Sequence, residues 1–306
     1  MEVTKIKRIQ QISLILLDEF ARVCRENNLQ WFVDSGTLLG AIRHGGFIPW
    51  DDDVDVAMPR EDYSRLVSIS KDVFKYPFQF AHRSVCPCVA VYAQLKYCES
   101  AKITERNLTS YYRDNSGHFT ENLGIGMDIV PLDNIPNNNE QMKDLMKFTS
   151  YIRESSQVMH YNCGTYERSI THSKNKDAVD LLDSIMTKVN SASKDTGRVA
   201  CVDWWMFYEL RGYTVSKDCY SSYTEQKFKG MQEMVRVPIG YDEILRKYYG
   251  NYKHEEVRIT EQSYKKVIID DTHSYRDYEK LSVEMLEDMI DKDKDIDSYS
   301  PTETLN

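Results

Sequence analysis

Residues 31–58 read WFVDSGTLLGAIRHGGFIPWDDDVDVAM and carry the pattern of a strand, a tight turn, a short helix and a second strand. Residues 31–33 are β-prone, and residues 34–37 are turn-forming and helix-capping types. Residues 37–43 place leucine and isoleucine at helical spacing. Residues 53–56, DVDV, alternate with period two, so the valines point to one face of the strand and the aspartates to the other. We therefore expect a buried valine face beneath two carboxylates that share a cleft.

The two carboxylates of that strand, Asp53 and Asp55, repel each other, and a bound divalent cation commonly neutralises such a pair. Oxygen ligands suit Mg²⁺, with Mn²⁺ as an alternative. The helix start at Gly36 and Thr37 offers backbone N–H groups and the positive end of a helix dipole, which suit a phosphate. A metal-binding acidic pair beside an anion-binding turn is what phosphoryl or nucleotidyl transfer requires. The alternative is a solvated acidic loop.

The composition indicates an acidic globular protein. The chain has 306 residues, enough for one large or two modest domains, and 41% of them are hydrophobic. Its net charge of −9 argues against nucleic-acid binding, because that requires lysine and arginine to neutralise phosphates. The sequence contains no apolar run long enough for a signal peptide or a transmembrane helix. We therefore expect a cytoplasmic protein, with peripheral association at the inner face of the membrane left open.

The cysteines favour reduced thiols, since there are seven of them at irregular spacing. One group has the residue types of a zinc site: His82, Cys86, Cys88 and Cys98. Its spacing matches no standard zinc finger, and free thiols around a turn at Pro87 are the favoured alternative.

The rest of the chain predicts helices around a mixed sheet. Helices are predicted over residues 4–26, 59–73, 140–160, 176–190, 197–211, 240–249 and 281–291, and strands over residues 78–81, 89–97, 102–106, 124–130 and 235–239. We expect the strand at 124–130 to end at Pro131, and residues 215–235 to form a loop around one helix. The fold class is therefore α/β (α+β), a mixed sheet flanked by helices with a mostly helical C-terminal half. The aromatic residues of 202–208 are interpreted as core packing rather than a choline-binding cage.

Three segments resemble the LicD family of phosphotransferases, which is related to fukutin. They are GTLLGAIRHGGFIPWDDDVDVAM at residues 36–58, GMDIVPLD at residues 126–133 and VPIGYDEILRKYYGNY at residues 237–252. The resemblance implies a nucleotidyltransferase-like α/β core over residues 1–136. Residues 137–306 would pack on this core and complete the acceptor side. The third segment lacks the prolines that usually follow it in the family.

The resemblance also implies a reaction. An alcohol phosphate, typically phosphocholine, would move from a CDP-activated donor such as CDP-choline to a hydroxyl of a cell-surface glycan, with release of CMP. Such glycans include lipopolysaccharide, teichoic acid and capsule. Two alternatives remain open: a nucleotidyltransferase that attaches NMP to an acceptor and releases pyrophosphate, and a non-catalytic glycan- or nucleotide-binding protein on the same fold.

The resemblance extends the acidic site to a third carboxylate, Asp128. This aspartate lies in an apolar run, where a carboxylate is costly unless it is paired or binds a metal. By resemblance, it would complete a metal site with Asp53 and Asp55 and help remove the proton of the acceptor hydroxyl. A partly buried Asp128 that caps a turn is the alternative. Asp133 is interpreted as structural.

The predicted donor-binding residues surround these carboxylates: Ser35, Gly36, Thr37, Arg43, His44 and Asp52. The backbone N–H groups and hydroxyls of the turn would cradle phosphate. Arg43 suits bidentate contact with a phosphate, although an arginine and a histidine on a loop also form ordinary surface pairs.

Overall fold

The computed structural model describes most of the chain in five long stretches. These are residues 5–82, 92–108, 121–138, 214–254 and 266–292, with short pieces at 85, 113–114, 117–119, 140, 187–189, 191–192 and 196–200. The predicted helix at 140–160, most of the one at 176–190 and the aromatic residues of 202–208 lie outside the described residues. So do Cys86 and Cys88 of the cysteine group.

The described elements begin with alternating helices and strands and continue mostly as strands. The first part contains α1 Lys5–Glu26, β1 Phe32–Val33, α2 Ser35–His44, β2 Asp55–Pro59, α3 Arg60–Val73, β3 Phe78–Ala81, β4 Ala93–Tyr97, β5 Ala101–Thr104 and β6 Gly126–Asn134. The second part contains β7 Arg198–Ala200, β8 Val215–Ser216, β9 Tyr223–Lys227, β10 Met234–Pro238, α4 Tyr241–Tyr249, β11 Val267–Asp270 and α5 Val283–Lys292. Short 3₁₀ helices span Glu105–Leu108, Lys217–Tyr220 and Tyr275–Lys280.

The main sheet has seven strands and is mixed. Five follow the order β1-β2-β6-β4-β3, and β7 and β8 extend it from β6. β2 and β6 are parallel, while β1, β4 and β7 pair antiparallel with their neighbours. Helices α1 and α3 contact the sheet at β6. This arrangement confirms the predicted fold class.

The chain passes from β1 to β2 through a compact turn that includes α2. Gly45, at φ 63°, ends α2 in the left-handed conformation that glycine adopts without strain. Gly40 lies so close to the returning loop that a Cβ on it would come within 2.5 Å of the Gly46 carbonyl oxygen. Thr37 then ties the helix to β2, because its Oγ1 accepts a hydrogen bond from the Asp55 N–H at 2.9 Å. These contacts fix the first turn of α2 against the start of β2.

A second, smaller sheet packs beside the first. β5 pairs antiparallel with β11, and Lys102 lies opposite Ile269. The two strands and α5 enclose a separate cluster of buried apolar side chains that includes Ile103, Ile268 and Met289. Helix α1 contacts both sheets, since it packs on β4, β6 and β11.

Elements from the C-terminal half share the main core. Val199, Val235 and Ile244 belong to the same buried cluster as α1 and β2. β10 contacts β1, and α4 contacts α2. The division into domains at residues 136 and 137 stays a prediction.

The structure corrects three local predictions. β6 continues through Pro131 to Asn134 instead of ending at the proline. Pro131 has no N–H to donate, but β7 pairs with β6 only at Asp133 and Asn134, so the pairing of β6 with β7 stays intact. Residues 198–200, predicted as the start of a helix, form β7 because they pair with β6 and β8. Residues 215–235 contain β8, a 3₁₀ helix and β9 rather than a loop around one helix.

None of the helices that the structure describes is long and apolar enough to cross a membrane.

The described cysteines are not in disulfide bonds: Cys24, Cys98 and Cys219 are free thiols. Burial raises the pKa of the Cys219 thiol to about 11, so this thiol stays protonated near neutral pH.

Candidate active site

Asp55 and Asp128 lie side by side on the parallel strands β2 and β6. Their Cα atoms are direct partners in the ladder, and residues in register on neighbouring strands project to the same face of a sheet. A hydrogen bond of 2.8 Å from the Asp128 N–H to the Val54 carbonyl oxygen fixes the register. The structure therefore brings these two predicted site residues together, while their roles in catalysis and metal binding stay predictions.

The Asp55 carboxyl is surrounded by other carboxyl groups. Its residue is only 3% exposed, and its Oδ1 atom has no hydrogen-bond partner. Burial raises the pKa of this carboxyl well above its ordinary value, and the charges of Asp53, Asp128, Asp34 and Asp51 raise it further. A buried carboxyl beside four like charges is unfavourable in its ionised form unless a cation approaches it.

Asp51 and Asp53 add two more carboxyls to this group. Asp51 has an unpaired Oδ2 atom, and burial together with the charge of Asp53 raises the pKa of its carboxyl to about 8. Asp53 keeps part of its surface open to solvent. Nevertheless, the surrounding protein, followed by the charges of Asp52 and Asp128, raises the pKa of the Asp53 carboxyl to about 6. We call Asp34, Asp51, Asp53, Asp55 and Asp128 together the acidic cluster.

Asp34, which the sequence analysis treated only as a turn residue, is part of this cluster. Its N–H donates to the Asp55 carbonyl oxygen at 3.0 Å, its residue is 2% exposed, and its Oδ1 atom has no partner. Burial raises the pKa of the Asp34 carboxyl to about 6, against the opposing hydrogen bonds of Ser35. Ser35 has a φ of 48°, which is unusual for a residue with a side chain. Backbone strain therefore occurs at the predicted anion-binding turn.

The donor atoms of the cluster are carboxylate oxygens, which suit a hard divalent cation. One carboxyl oxygen in each of Asp34, Asp51 and Asp55 has no hydrogen-bond partner. Within the described part of the chain, however, no three histidine, cysteine, aspartate or glutamate side chains already form a group that could hold a metal. Both oxygens of the Asp128 carboxyl have hydrogen-bond donors, since Oδ1 accepts from Gln94 at 2.7 Å and Oδ2 from Tyr92 at 3.0 Å. Its oxygens must exchange or share these hydrogen bonds to bind a metal.

The predicted phosphate-binding turn faces the cluster. A Cβ on Gly36 would lie 2.7 Å from Asp51 Oδ2, so a larger residue there would displace the Asp51 carboxyl. The Ser35 hydroxyl donates to Asp34 Oδ2 at 3.3 Å, and Thr37 Oγ1 accepts from the Asp55 backbone. Both hydroxyls thus have partners within the protein, and phosphate binding by this turn stays a prediction.

The other predicted donor-binding residues have distinct surroundings. Arg43 Nη1 donates to the Tyr252 carbonyl oxygen at 3.1 Å and links α2 to the segment after α4. His44 follows it as the last residue of α2. Asp52 pairs with Lys102, whose Nζ lies 3.1 Å from Asp52 Oδ2. Asp133, interpreted as structural, is fully buried and forms two hydrogen bonds of 2.7 Å with the Arg60 guanidinium.

Comparisons with known proteins identify sequence relatives of this chain. Residues 28–125 match the family profile described as LicD/FKTN/FKRP, nucleotidyltransferase domain. The lipopolysaccharide cholinephosphotransferase LicD of Haemophilus influenzae is 28% identical over 269 residues, covering 81% of this chain and 91% of the relative. The domain match and this relative support the resemblance to the LicD family.

Two shorter matches are with uncharacterized proteins. An uncharacterized protein of Rickettsia typhi is 33% identical over 70 residues, 23% of each chain. One of Rickettsia prowazekii is 43% identical over 54 residues, 18% of this chain and 20% of the relative. The LicD profile covers α2, β2 and β5 but ends just before β6. Asp128 therefore lies outside the segment that matches the profile, and strand pairing brings it beside Asp55.

Sequence reasoning missed two residues near the acidic cluster because they come from distant segments. Lys102 lies on β5 of the smaller sheet. Tyr249 is the last residue of α4; burial raises the pKa of its phenol, and the carboxyls of Asp34 and Asp55 add to the effect. Its residue is 44% exposed. Tyr249 lies in the third LicD-like segment, but no local pattern marked Tyr249 or Lys102 as a site residue. The packing of α4 and β5 brings them near the cluster.

Proposed function

We propose that this protein is a metal-dependent phosphotransferase of the LicD type. It moves phosphocholine from CDP-choline to a hydroxyl of a glycan and releases CMP. The main support is the placement of Asp55 and Asp128 on adjacent parallel strands inside a cluster of carboxyls with unpaired oxygens. The substrate class rests on the similarity to the Haemophilus influenzae lipopolysaccharide cholinephosphotransferase.

In this proposal the acceptor hydroxyl oxygen attacks the phosphorus that carries choline. A new oxygen–phosphorus bond forms, the bond from that phosphorus to the bridging anhydride oxygen breaks, and CMP departs with the bonding electrons. The hydroxyl proton passes to a carboxylate of the cluster, with Asp128 as the expected acceptor. Tyr92 and Gln94 hold the Asp128 carboxyl in a fixed orientation for this transfer.

Asp53, Asp55 and Asp128 would hold Mg²⁺ or Mn²⁺. Such an ion, when bound, supplies positive charge that stabilises the phosphates of the donor and the leaving group. The raised pKa of the Asp55 carboxyl accords with this assignment, because burial and neighbouring charges make a cation favourable there. Ser35, Gly36 and Thr37 would bind phosphate through the first turn of α2.

The acceptor and the location follow from the same proposal. A glycan assembled on a lipid carrier would be reached at the cytoplasmic face of the membrane, and the C-terminal half would complete the acceptor side. The described helices include none that could cross a membrane. Cytoplasmic location and peripheral membrane association both stay predictions.

The test is product formation followed by ³¹P NMR. Purified protein is incubated with Mg²⁺, a panel of CDP-alcohols and nucleoside triphosphates, and a glycan extract as acceptor. We expect CMP from CDP-choline, with no turnover in EDTA. Asp55→Asn is expected to lower the rate at least about 100-fold, the usual size of a lost catalytic group. The control is Asp277→Asn, since Asp277 forms a surface ion pair with Lys280.

The outcomes separate the candidate functions. Pyrophosphate from a nucleoside triphosphate would identify a nucleotidyltransferase instead. Turnover by Asp55→Asn at the rate of Asp277→Asn would remove the carboxyl cluster from the mechanism. Absence of any product and of any binding of the panel would favour a non-catalytic protein.

A further inference from the structure

Lys102 is a cation at the edge of the acidic cluster. Its Nζ lies 3.1 Å from Asp52 Oδ2, and the two side chains are 36% and 31% exposed. The charge of Lys102 also acts on the neighbouring Asp53 carboxyl, whose pKa it lowers against the larger effect of burial. The ammonium group therefore lies where the cluster meets solvent, within electrostatic reach of a proposed metal ligand.

The strand β5 holds Lys102 in this position. Its N–H donates to the Leu123 carbonyl oxygen at 2.7 Å, and its partner across the ladder is Ile269. The residues on either side, Ala101 and Ile103, are fully buried in the smaller core. Because side chains alternate along a strand, Lys102 projects away from that core. Its position is thus set by a rigid element rather than by a loop.

The charge distribution explains why a cation is needed there. A diphosphate donor is an anion, and it must approach five carboxyl groups. Arg43 is held by the Tyr252 carbonyl oxygen. Lys102 is a cation in direct contact with Asp52, one of the aspartates of residues 51–55. An exposed ion pair of this kind contributes little to stability, so exchanging its carboxylate for a phosphate costs little.

We propose that Lys102 binds a phosphate oxygen of the donor, and that Asp52 is a positioning residue that holds the lysine in place before the donor arrives. On binding, the Lys102 ammonium exchanges its contact with Asp52 for one with phosphate. This inference rests on the proposed function and extends it, because it assigns the smaller sheet a part in donor binding. It also changes the predicted role of Asp52, which acts through Lys102 and does not touch the donor.

The experiment measures binding of CDP-choline by calorimetry in Mg²⁺, and binding of cytidine by ligand-observed NMR. Lys102→Met is expected to weaken CDP-choline binding about tenfold, equivalent to about 1.4 kcal/mol, and to leave cytidine binding unchanged. Lys102→Arg is expected to retain most of the affinity. Lys266→Met is the matched control, because Lys266 precedes β11 of the same sheet and pairs with Glu105 at 2.7 Å on the surface.

A second variant has the opposite expected sign. Asp52→Asn releases Lys102 and removes a negative charge, so it is expected to keep or strengthen CDP-choline binding. Equal affinity of Lys102→Met and Lys266→Met for CDP-choline would overturn the inference. So would a Lys102→Met protein whose binding of cytidine weakens as much as its binding of CDP-choline. If the wild-type protein binds none of CDP-choline, the other CDP-alcohols and CTP, both the proposed function and this inference are refuted. Wild-type binding that Lys102→Met retains in full would refute this inference alone.

Discussion

Replacing the buried carboxyl of Asp34 by an amide is expected to stabilise the metal-free protein at alkaline pH. Asp34 has an unpaired Oδ1 atom and is almost completely buried. Its carboxyl pKa rises from the ordinary value of 3.8 to about 6, chiefly because of burial. The folded protein therefore binds this proton more tightly than the unfolded chain. The Asp34 contribution favours folding at low pH and is lost as the pH rises through about 6.

The size of the effect follows from that pKa. Above pH 7, the rise of the Asp34 pKa from 3.8 to about 6 lowers the free energy of unfolding by about 3 kcal/mol. This uses about 1.4 kcal/mol for each pKa unit. The asparagine introduced by Asp34→Asn keeps a buried polar group without a full set of partners, which costs about 1 kcal/mol. The net gain is then about 2 kcal/mol, or a rise of about 4 °C in Tm for a chain of this size. Near pH 4 the gain disappears.

The assay is urea unfolding of wild type and Asp34→Asn in EDTA between pH 4 and pH 8. The other aspartates of the cluster are present in both proteins, so the difference in unfolding free energy reports the charge of Asp34 together with its effect on neighbouring carboxyls such as Asp55. Asp277→Asn removes a surface carboxylate outside the cluster and is the control. An Asp34→Asn protein that is less stable than wild type at pH 8, or a difference that does not change with pH, would refute the electrostatic reasoning.

Two further predictions concern buried carboxylates that have partners. Arg60→Met is expected to lower the free energy of unfolding by about 3 kcal/mol, because the buried Asp133 carboxylate loses both of its hydrogen bonds to the guanidinium. Urea unfolding measures this difference. A loss below about 1 kcal/mol, the value of an ordinary surface pair, would contradict the prediction. Asp270→Asn should lower the stability near neutral pH by about 1.5–3 kcal/mol. Burial tends to raise the pKa of the Asp270 carboxyl, but hydrogen bonds from Tyr278 and other neighbours outweigh it and the pKa is lowered. The Asp270 contribution is therefore present above the unfolded-state pKa and lost as the pH falls through the folded-state pKa. The stability difference between wild type and Asp270→Asn should accordingly shrink in acid, and a constant difference from pH 2 to pH 7 would count against this assignment.

Much of the fold could be predicted because its elements carry their own local signals. Helix α1 follows from an apolar stripe that includes Leu16, Leu17 and Phe20, all of which are buried. The predicted helix after residue 240 agrees with α4, which ends before Gly250. The errors occurred where pairing with another strand outweighed local preference. β6 runs through Pro131, and β7 replaces the start of a predicted helix.

The sequence alone determined the LicD-like motif and the apolar pattern of β2, which begins at Asp55 with Asp53 two residues before it. These features depend on local periodicity and residue types, whereas the expectation that Asp128 would lie near them came from the family resemblance. The tertiary structure alone decided which carboxyls have partners: Asp128 is held by Tyr92 and Gln94, whereas an oxygen of Asp55 has no partner. It also brought Lys102 to the site. Hydrogen bonds, burial and charge depend on distances between segments far apart in the chain, and no local pattern of residues encodes those distances.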